Sequence, residues 1–550
     1  MTLTKLDIDR NINTLRVNSK EFSTIDNTKL ISMLEESINN IKDVAYYWAT
    51  VSAENKGVSN TVAEGEEWLG GPFATVFGIQ YYIDTLKDLN KPLNEELFDN
   101  NLNTYKVFPN NFLEKIFFPF ISAEIKFGKN IKFSEIEEYR GFAMRYKHEP
   151  SISLILGAGN VSCIPLLDAI YHLVAKRSVV YIKLNPVNDY LLPVYEKVFS
   201  NFIALGYIVI TKGSVDESKY MTEHNGIDHI HLTGSDETYE NIVYGRKLND
   251  EEKKLKSLDK INKKSFSSEL GNVTPIIVHP GNWSNAELKF QARKIVTAKL
   301  NNGGFNCISA QIVLLPDNWK HTDKLMKYIK YYMNKVDDRL SYYPNSLNVL
   351  TSLEKDKNYE RLNDQSCATP HLSREIKAYS KYETSEIWGT SIYFKKIDYE
   401  NDLDYAKNVI DYCNNTLWGN LGATVLFKKY NKRVNEPIKN LYINNLKYGT
   451  VAINEWSAIG FIIPTLPWGG YPGNKDNDIQ SGQDFVHNSM FFESPLNGIV
   501  YSKFRMSNII DPLWFVTNKK GKKVFKNLYI NELKYGTIAI NEWSAIGFII

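Results

Sequence analysis

Hydrophobic and polar positions along this chain repeat with two different periods, and the change of period divides it into regions. Through residues 1–110 apolar side chains recur every three or four positions, which predicts mostly helix. One helix is predicted around Leu30 to Trp48, with Asn27 or Thr28 as its N-cap, and a second from Phe73 to Leu86. We expect these helices to pack on the following domain with their aromatic residues in the core: Tyr46, Tyr47, Trp48 and Trp68.

From residue 151 the pattern changes to strands that alternate with helices. Ile152–Leu156 and Val179–Lys183 are short apolar runs typical of buried strands, and Ile164–Arg177 between them has helical spacing. A βαβ unit is therefore predicted, which implies an α/β fold with a parallel sheet. Nucleotides bind at the carboxyl ends of such strands. The pattern continues through a helix at 191–202, strands at Tyr207–Ile210 and His229–Leu232, and a helix at 235–244.

The first strand is followed by Gly157-Ala158-Gly159-Asn160-Val161-Ser162, which is close to the G-x-G-x-x-G loop of dinucleotide-binding proteins. Its last position is a serine, and no suitably placed acidic residue follows about 20 residues later. We therefore conclude from this loop only that the backbone closely approaches a neighbouring group.

Composition and charge exclude several classes of protein. The 550 residues are 43% hydrophobic and 23% charged, which is typical of a globular protein with two or three domains. Net charge is +2 and the basic residues are scattered among acidic ones, so neither a nucleic-acid surface nor an anionic membrane surface is predicted. No apolar stretch approaches membrane-spanning length, and we expect a soluble cytoplasmic protein without membrane insertion.

Four cysteines are present, and none of them forms a C-x-x-C motif: Cys163, Cys307, Cys367 and Cys413. This spacing argues against a disulfide framework and against a zinc site, so no metal is predicted. Cys307 differs from the others because it follows the flexible turn Asn301–Gly304 and precedes the apolar run Ile312–Leu315. A thiol at the edge of a loop is a candidate nucleophile, although a lone cysteine is more often buried and inert.

Eight short segments, in collinear order, resemble those of the aldehyde dehydrogenase superfamily. Each alone is weak, but together they span most of residues 150–485. They are Leu156-Gly157-Ala158-Gly159-Asn160, Val180-Tyr181-Ile182-Lys183, Leu232-Thr233-Gly234-Ser235, Ser268-Glu269-Leu270-Gly271-Asn272, Asn302-Gly303-Gly304-Phe305-Asn306-Cys307, Glu386-Ile387-Trp388-Gly389, Asn415-Thr416-Leu417-Trp418-Gly419 and Pro467-Trp468-Gly469-Gly470.

The resemblance implies oxidation of an aldehyde to a carboxylic acid through a covalent thioester. Cys307 would attack the aldehyde carbonyl, and its backbone N–H and the Asn160 amide would hold the oxyanion. After hydride transfer to the nicotinamide, Glu269 would activate the water that hydrolyses the thioester. The resemblance also implies cofactor contacts by Lys183, by Gly234 and Ser235 at the start of a helix, and by Glu386 at the nicotinamide ribose.

Several positions depart from the family pattern. Pro186 occupies a position where many members that prefer NAD carry a glutamate that repels a 2′-phosphate, so the cofactor is expected to be NAD or NADP. Tyr239 replaces a common glycine, Phe305 a common glutamine, and Trp388 a common phenylalanine. These departures indicate a divergent subgroup, and the aldehyde is not identified.

The resemblance also implies a domain organisation. A Rossmann-like cofactor domain is expected at 1–120 and 148–271, and an α/β catalytic domain at 272–483. A small oligomerisation segment at 121–147 and 484–510 is expected to pair between subunits of a homodimer or homotetramer.

The chain contains one internal repeat. Residues 526–550 duplicate 439–463 with two differences, Asn445 against Glu532 and Val451 against Ile538. Solenoid repeats diverge faster and occur in multiples, so we interpret the second copy as an appended tail and not as part of the architecture.

Two other functions stay open at this point. An acyl-CoA reductase would run the same thioester chemistry with coenzyme A in place of water. A catalytically silent binding protein of the same fold is disfavoured, because Cys307, Glu269 and Asn160 are all retained.

Overall fold

The structure is a computed structural model that describes residues 3–110, 114–115, 120–141, 148–429, 432–505, 511–512 and 514–518. Two large β-sheets with helices packed against them dominate this part of the chain, and the α/β architecture predicted from the sequence is confirmed. No helix in these residues is long and apolar enough to cross a membrane. The appended copy at 526–550 lies outside the described residues.

Long helices form most of the first 100 residues. The helix Asn27–Asn55 begins one residue earlier than predicted, because the Asp26 side chain accepts a hydrogen bond from the Lys29 N–H and so provides the N-cap. Trp48 and Trp68 are buried as expected, whereas Tyr46 and Tyr47 are about half exposed, which corrects their assignment to the core. The helices here are Lys5–Phe22, Asn27–Asn55, Glu64–Trp68 and Ala74–Asp88, with a π-helical turn at Leu69–Phe73.

The six-stranded sheet carries the predicted βαβ units. Five of its strands are parallel, and all the strands that the alternating pattern predicted belong to it. The predicted helix at 191–202 is two helices, because the backbone leaves helical geometry at Phe199. In spatial order the strands are Gly482–Gln483, Ser265–Leu270, His229–Gly234, Ile152–Leu156, Val179–Lys183 and Ile208–Thr211. The helices around it are Ile164–Ala175, Leu192–Val198, Ser200–Ala204, Val215–Glu223, Asp236–Tyr244 and Asp250–Lys254.

The eleven-stranded sheet is the larger of the two sheets. Its middle strands are buried on both faces, as parallel strands covered by helices are. In spatial order the strands are Phe98–Asp99, Thr104–Phe108, Ser122–Lys126, Asn497–Tyr501, Thr450–Ile453, Gly422–Leu426, Thr274–Val278, Ala310–Pro316, Ser391–Ile397, Leu372–Glu375 and Glu360–Arg361. Helices of this half are Asn285–Leu300, Thr322–Met333, Ser346–Glu354, Asp402–Asn415, Lys432–Asn445 and Ile459–Ile462.

Two features of this sheet differ from the expected organisation. The strands Phe98–Asp99 and Thr104–Phe108 belong to it, although residues 1–120 were expected in the cofactor domain and mostly helical. Ser122–Lys126 pairs with Asn497–Tyr501 of the same chain, which in turn pairs with Thr450–Ile453. Strands from the two predicted oligomerisation segments, 121–147 and 484–510, therefore pair with each other within this chain, and the pairing between subunits stays a prediction.

Candidate active site

A tight turn between a helix and a strand positions Cys307. The helix Asn285–Leu300 starts with a capping box between Ser284 and Glu287 and ends directly before the turn. Asn302, Gly303 and Gly304 all have positive φ, which favours glycine and asparagine over other residues. The chain thereby reverses within a few residues and enters the strand Ala310–Pro316, with the half-buried Cys307 thiol facing a cavity.

Cys307 lies beside Glu269, although 38 residues separate them in sequence. Burial, followed by the charge of Glu269, raises the pKa of the Cys307 thiol well above its usual value. Burial also raises the pKa of Glu269 to about 7, while the nearby Cys307 thiol and Trp468 indole partly oppose this rise. Both Glu269 carboxylate oxygens are buried without a hydrogen-bond partner of good geometry, so this carboxyl group is available to accept a proton near neutral pH.

Asn160 contacts the same loop from the six-stranded sheet. Its side-chain NH₂ donates a hydrogen bond to the Phe305 carbonyl at 3.0 Å, and it lines the cavity together with Cys307. An amide NH₂ has two hydrogens, so one donor remains after this bond. The Cys307 backbone N–H faces its own sulfur, which places a second donor at the reacting atom.

A buried network of charged side chains supports both Asn160 and the cysteine loop. The Lys56 ammonium donates to Glu67 at 2.9 Å, to the Asn160 carbonyl at 2.9 Å and to the Asn302 side chain at 3.1 Å. Arg339 forms an ion pair with Glu66 at 2.9 Å. Glu66 also accepts a hydrogen bond from the Asn302 backbone N–H at 2.8 Å. The loop is thus fixed by ion pairs removed from water. Sequence reasoning missed this network; its one signal is the adjacent glutamates at 66 and 67 within an apolar segment.

The cavity in front of Cys307 has a volume of about 150 Å³ and a mainly apolar lining. Aromatic side chains from separate segments form much of it, including Phe73, Trp456, Phe461 and Trp468. The Trp456 indole N–H donates to the Ile308 carbonyl at 3.0 Å, which fixes this ring next to the nucleophile. A ligand in this cavity would meet hydrocarbon on most sides.

The predicted cofactor residues lie at the carboxyl edge of the six-stranded sheet. Lys183 ends its strand and is only 8% exposed, yet its ammonium makes no hydrogen bond or ion pair within the described residues. Gly234 ends the strand His229–Gly234, which lies two positions from the Lys183 strand in the sheet. Ser235 caps the helix Asp236–Tyr244 by accepting a hydrogen bond from the Thr238 N–H at 3.1 Å. A buried unpaired cation and a helix N-terminus at this edge suit the hydroxyl and phosphate groups of a dinucleotide. These residues therefore fit NAD or NADP.

Glu386 lies close to the catalytic pair. One of its oxygens accepts the Asn272 backbone N–H at 3.2 Å, three residues after Glu269. Burial raises its pKa to about 8, and its charge contributes to the high pKa of Cys307. A half-buried carboxyl at this place fits the ribose hydroxyls of the nicotinamide half of the cofactor.

The loop after the first strand of this sheet serves close packing within the chain. A Cβ on Gly159 would lie 2.7 Å from the Asn185 side chain, and one on Gly157 would lie 3.0 Å from Pro165. The two glycines thus let neighbouring parts of the chain come together. The prediction that the backbone of this loop closely approaches a neighbouring group agrees with this packing.

Two of the unusual residues contact each other. Phe305 and Trp388 have ring centroids 6.0 Å apart, and Tyr343 stacks on Phe305 at 5.8 Å and meets Trp388 at 4.5 Å. The departures at positions 305 and 388 therefore form one aromatic cluster behind the cysteine loop. Tyr239, the third departure, is buried against Phe266.

Comparisons with known proteins agree with this geometry. A sequence profile of the aldehyde dehydrogenase family matches residues 206–343, which include Glu269 and Cys307. Over this stretch the chain is similar to the aldehyde dehydrogenase family. A search among curated proteins found no sequence that matches this chain.

Solved structures of aldehyde dehydrogenases share the fold over most of the chain. An NADP-dependent glyceraldehyde-3-phosphate dehydrogenase from Bacillus halodurans C-125, complexed with NADP, has a TM-score of 0.62 at 16% identity and covers 91% of each chain. Aldehyde dehydrogenase 21 from Physcomitrella patens, in complex with the product succinate, has a TM-score of 0.60 at 15% identity and covers 92% of each. Staphylococcus aureus AldH in a substrate-bound state has a TM-score of 0.61 at 16% identity and covers 96% of this chain and 100% of that one.

The match over residues 206–343 and the shared fold thus make the chain similar to aldehyde dehydrogenases, one of which was solved in complex with NADP. Of the residues predicted from the sequence, Cys307 and Asn160 line one cavity, and Glu269 and Glu386 lie close to Cys307. Lys183 and Gly234–Ser235 lie along the sheet edge. Within the described residues no cluster of histidine, cysteine and carboxylate side chains could hold a metal ion.

Proposed function

We propose that this protein oxidises an aldehyde to a carboxylic acid with NAD or NADP, through a thioester on Cys307. The observation that carries the proposal is the contact between the half-buried Cys307 thiol and the buried Glu269 carboxyl, whose pKa is about 7. Each group alone is a poor catalyst at neutral pH. Together they can exchange a proton, which creates the nucleophile only when the carboxylate is present.

In the first step Glu269 accepts the proton of the Cys307 thiol, and the thiolate attacks the aldehyde carbonyl carbon. The carbonyl oxygen takes the electron pair and becomes an oxyanion. The Cys307 backbone N–H and the free hydrogen of the Asn160 NH₂ group are the donors for this charge. Lys56 holds the Asn160 backbone and so keeps that donor in place.

Lys183, the helix after Ser235 and Glu386 would hold the cofactor. A bound nicotinamide cofactor supplies the hydride acceptor. The packing of Gly304 against the Gly389 backbone fixes the cysteine loop next to the segment that carries Glu386. The chain thereby couples the position of the nucleophile to that of the cofactor ribose.

Glu269 acts a second time when the thioester is hydrolysed. By then Glu269 has released the thiol proton to solvent, so its carboxylate takes a proton from a water molecule while the water oxygen attacks the thioester carbonyl. The C–S bond of the thioester breaks, the carboxylic acid leaves, and the Cys307 thiolate takes the proton back from Glu269. A base with a pKa of about 7 is half ionised at neutral pH, so it can both gain and lose its proton in each cycle.

The cavity favours an apolar aldehyde. Indole and phenyl rings surround the space in front of Cys307, and burial of apolar area stabilises a complex by roughly 25 cal/mol per Å². Charged aldehydes would lose hydration there without gaining an ion pair.

The decisive experiment measures formation of reduced cofactor with a panel of aldehydes of increasing chain length, with NAD and NADP, and with and without coenzyme A. Turnover without coenzyme A that increases with aldehyde chain length is the expected result. Turnover only when coenzyme A is supplied would show the acyl-CoA reductase reaction instead, and no turnover in any arm would overturn the proposal.

A further inference from the structure

One face of the six-stranded sheet carries a row of polar side chains that ends at Glu269. The strands His229–Gly234 and Ser265–Leu270 run parallel, and their register pairs His229 with Ser265, His231 with Ser267, and Thr233 with Glu269. Alternate residues of a strand point to the same face, and neighbouring strands are about 4.8 Å apart. Six polar residues therefore line a single track, in an otherwise apolar domain.

Hydrogen bonds connect the residues of this track one after another. The Ser265 hydroxyl lies 2.8 Å from His229 Nδ1, and His229 Nε2 lies 2.8 Å from the Ser267 hydroxyl. The same Ser267 hydroxyl lies 2.9 Å from His231 Nδ1. Each imidazole thus uses both ring nitrogens, one toward the surface and one toward the interior.

The helix Ile164–Ala175 adds a carboxylate to the inner end of the track. Asp168 accepts the Thr233 hydroxyl at 3.0 Å, and His231 Nε2 lies 3.4 Å from Asp168 and 3.3 Å from Thr233. Asp168 and His231 are each 1% exposed. Polar groups this deeply buried are costly unless they bond fully or serve a function.

The track joins the protein surface to the catalytic base. At its outer end Ser265 is exposed and His229 is half-buried. At its inner end Thr233 is the register neighbour of Glu269, and the charge of Asp168 helps to raise the pKa of Glu269. No hydrogen bond of good geometry holds either Glu269 oxygen on the Cys307 side.

We propose that this row of side chains, Glu269, Thr233 with Asp168, His231, Ser267, His229 and Ser265, conducts protons from the catalytic base to solvent. The inference rests on the proposed function, in which Glu269 must lose a proton in every turnover. Glu269 gives its proton to Asp168 through the Thr233 hydroxyl, and His231 Nε2 takes it up. His231 Nδ1–H then donates to Ser267, which passes a proton to His229 Nε2, and His229 Nδ1–H releases one to solvent at Ser265.

Other titratable groups lie close to the track and influence the protonation of its histidines. His172 lies beside both histidines, with ring centroids 5.0 Å from His229 and 5.4 Å from His231, and Lys176 adds a positive charge near His229. Burial lowers the pKa of His229 to about 3. Burial also lowers the pKa of His487 to about 4, although the nearby charge of Asp168 partly opposes this effect. The His229 imidazole of the track is therefore neutral at pH 7, the state in which one nitrogen can accept while the other donates.

The test removes one hydroxyl from the track and an equivalent hydroxyl beside it. Ser267→Ala deletes the bridge between the two histidines, and Ser267→Thr keeps a hydroxyl there. Ser153→Ala is the matched control, because Ser153 is a buried serine of the same sheet that bonds His172 at 2.9 Å and Ser178 at 2.9 Å but lies off the track. Thermal unfolding of each variant establishes that it is folded.

The measurements are the first-turnover burst of reduced cofactor, kcat, and the solvent deuterium isotope effect on kcat. We expect Ser267→Ala to lower kcat about tenfold or more, to raise the isotope effect and to leave the burst unchanged, with recovery in Ser267→Thr. Ser153→Ala should stay within about twofold of the unaltered protein. Unaltered kcat and isotope effect in Ser267→Ala, or an equal loss in Ser153→Ala, would overturn the inference. Failure of the proposed function itself would look different, since the unaltered protein would then show no burst.

Discussion

Gly304 packs directly on the backbone of Gly389, so that a Cβ on Gly304 would lie 2.2 Å from the Gly389 carbonyl oxygen. The Gly389 N–H also donates to the Gly304 carbonyl at 3.2 Å. At this point the loop that carries Cys307 and the segment that carries Glu386 therefore contact each other through their backbones. This contact explains physically why glycine occurs in both motifs.

Gly304→Ala should damage both stability and activity. The residue has a φ of +81°, where alanine is strained by about 1–3 kcal/mol, and the added methyl group must also displace the Gly389 backbone. Thermal unfolding and kcat of the variant measure the two effects. Gly128→Ala is the control, because a Cβ there would meet no atom within 4 Å. Equal behaviour of the two variants would contradict this account of the contact.

Cys307→Ala should abolish aldehyde oxidation and leave cofactor binding intact, because it removes the thiol and little volume. A fluorescence titration measures cofactor binding, and the steady-state rate measures aldehyde oxidation. Cys367→Ala provides the control, since Cys367 is also half-buried but lies away from the cavity. Near-normal turnover by Cys307→Ala would end the hypothesis of a covalent intermediate on this residue.

Glu269 should give the reaction its dependence on pH. Its carboxylate is the reactive form, so kcat of the unaltered protein should fall about tenfold per pH unit below about 7 and level off above it. In Glu269→Gln both the first-turnover burst and the steady-state rate should be low and independent of pH over this range, because the amide accepts a proton neither from Cys307 nor from water. A pH profile between 5.5 and about 9 for both proteins checks this. A variant that keeps the slope below pH 7 would assign the titration to another group.

Lys56→Met should destabilise the fold by roughly 3–5 kcal/mol, because it leaves the buried Glu67 carboxylate without its partner. Addition of Glu67→Gln should restore part of the loss, since no buried charge then remains. Denaturant unfolding of the single and double variants measures this coupling. Lys87→Met is the control for loss of a lysine, because the Lys87–Glu35 pair is half exposed and should contribute less than about 1 kcal/mol.

Deletion of residues 526–550 should leave kcat and cofactor affinity unchanged. The first copy at 439–463 already occupies the core, where Tyr442, Tyr448 and Trp456 are buried. Activity and melting temperature of the shortened chain are the measurements. A large loss of either would show that the second copy exchanges with the first or supports it.

The sequence was sufficient for the parts of the protein that depend on local pattern. Ile152–Leu156 and Val179–Lys183 begin and end where their apolar runs do, and the Asn302–Cys307 motif carries its own turn chemistry in its glycines. The catalytic pair became visible only through the resemblance, because no local signal places Glu269 beside Cys307.

Long-range contacts were beyond such reasoning. The network of Lys56, Glu67 and Asn302 joins positions up to 246 residues apart, and nothing in a helical period reveals which lysine is buried. The strand Thr104–Phe108 was missed for a related reason, since its identity as a strand depends on the partner Ser122–Lys126. Likewise, His231 and Ser267 look like ordinary strand residues until the register aligns them.

The high pKa of Cys307 has a consequence for the survival of the enzyme between turnovers. Peroxides and electrophiles attack the thiolate and spare the thiol. A protein that keeps its nucleophile protonated, and forms the reactive anion only when Glu269 accepts the proton, exposes little oxidisable sulfur while it waits for substrate. The same burial that makes the thiol slow to ionise thus protects the enzyme from chemical inactivation.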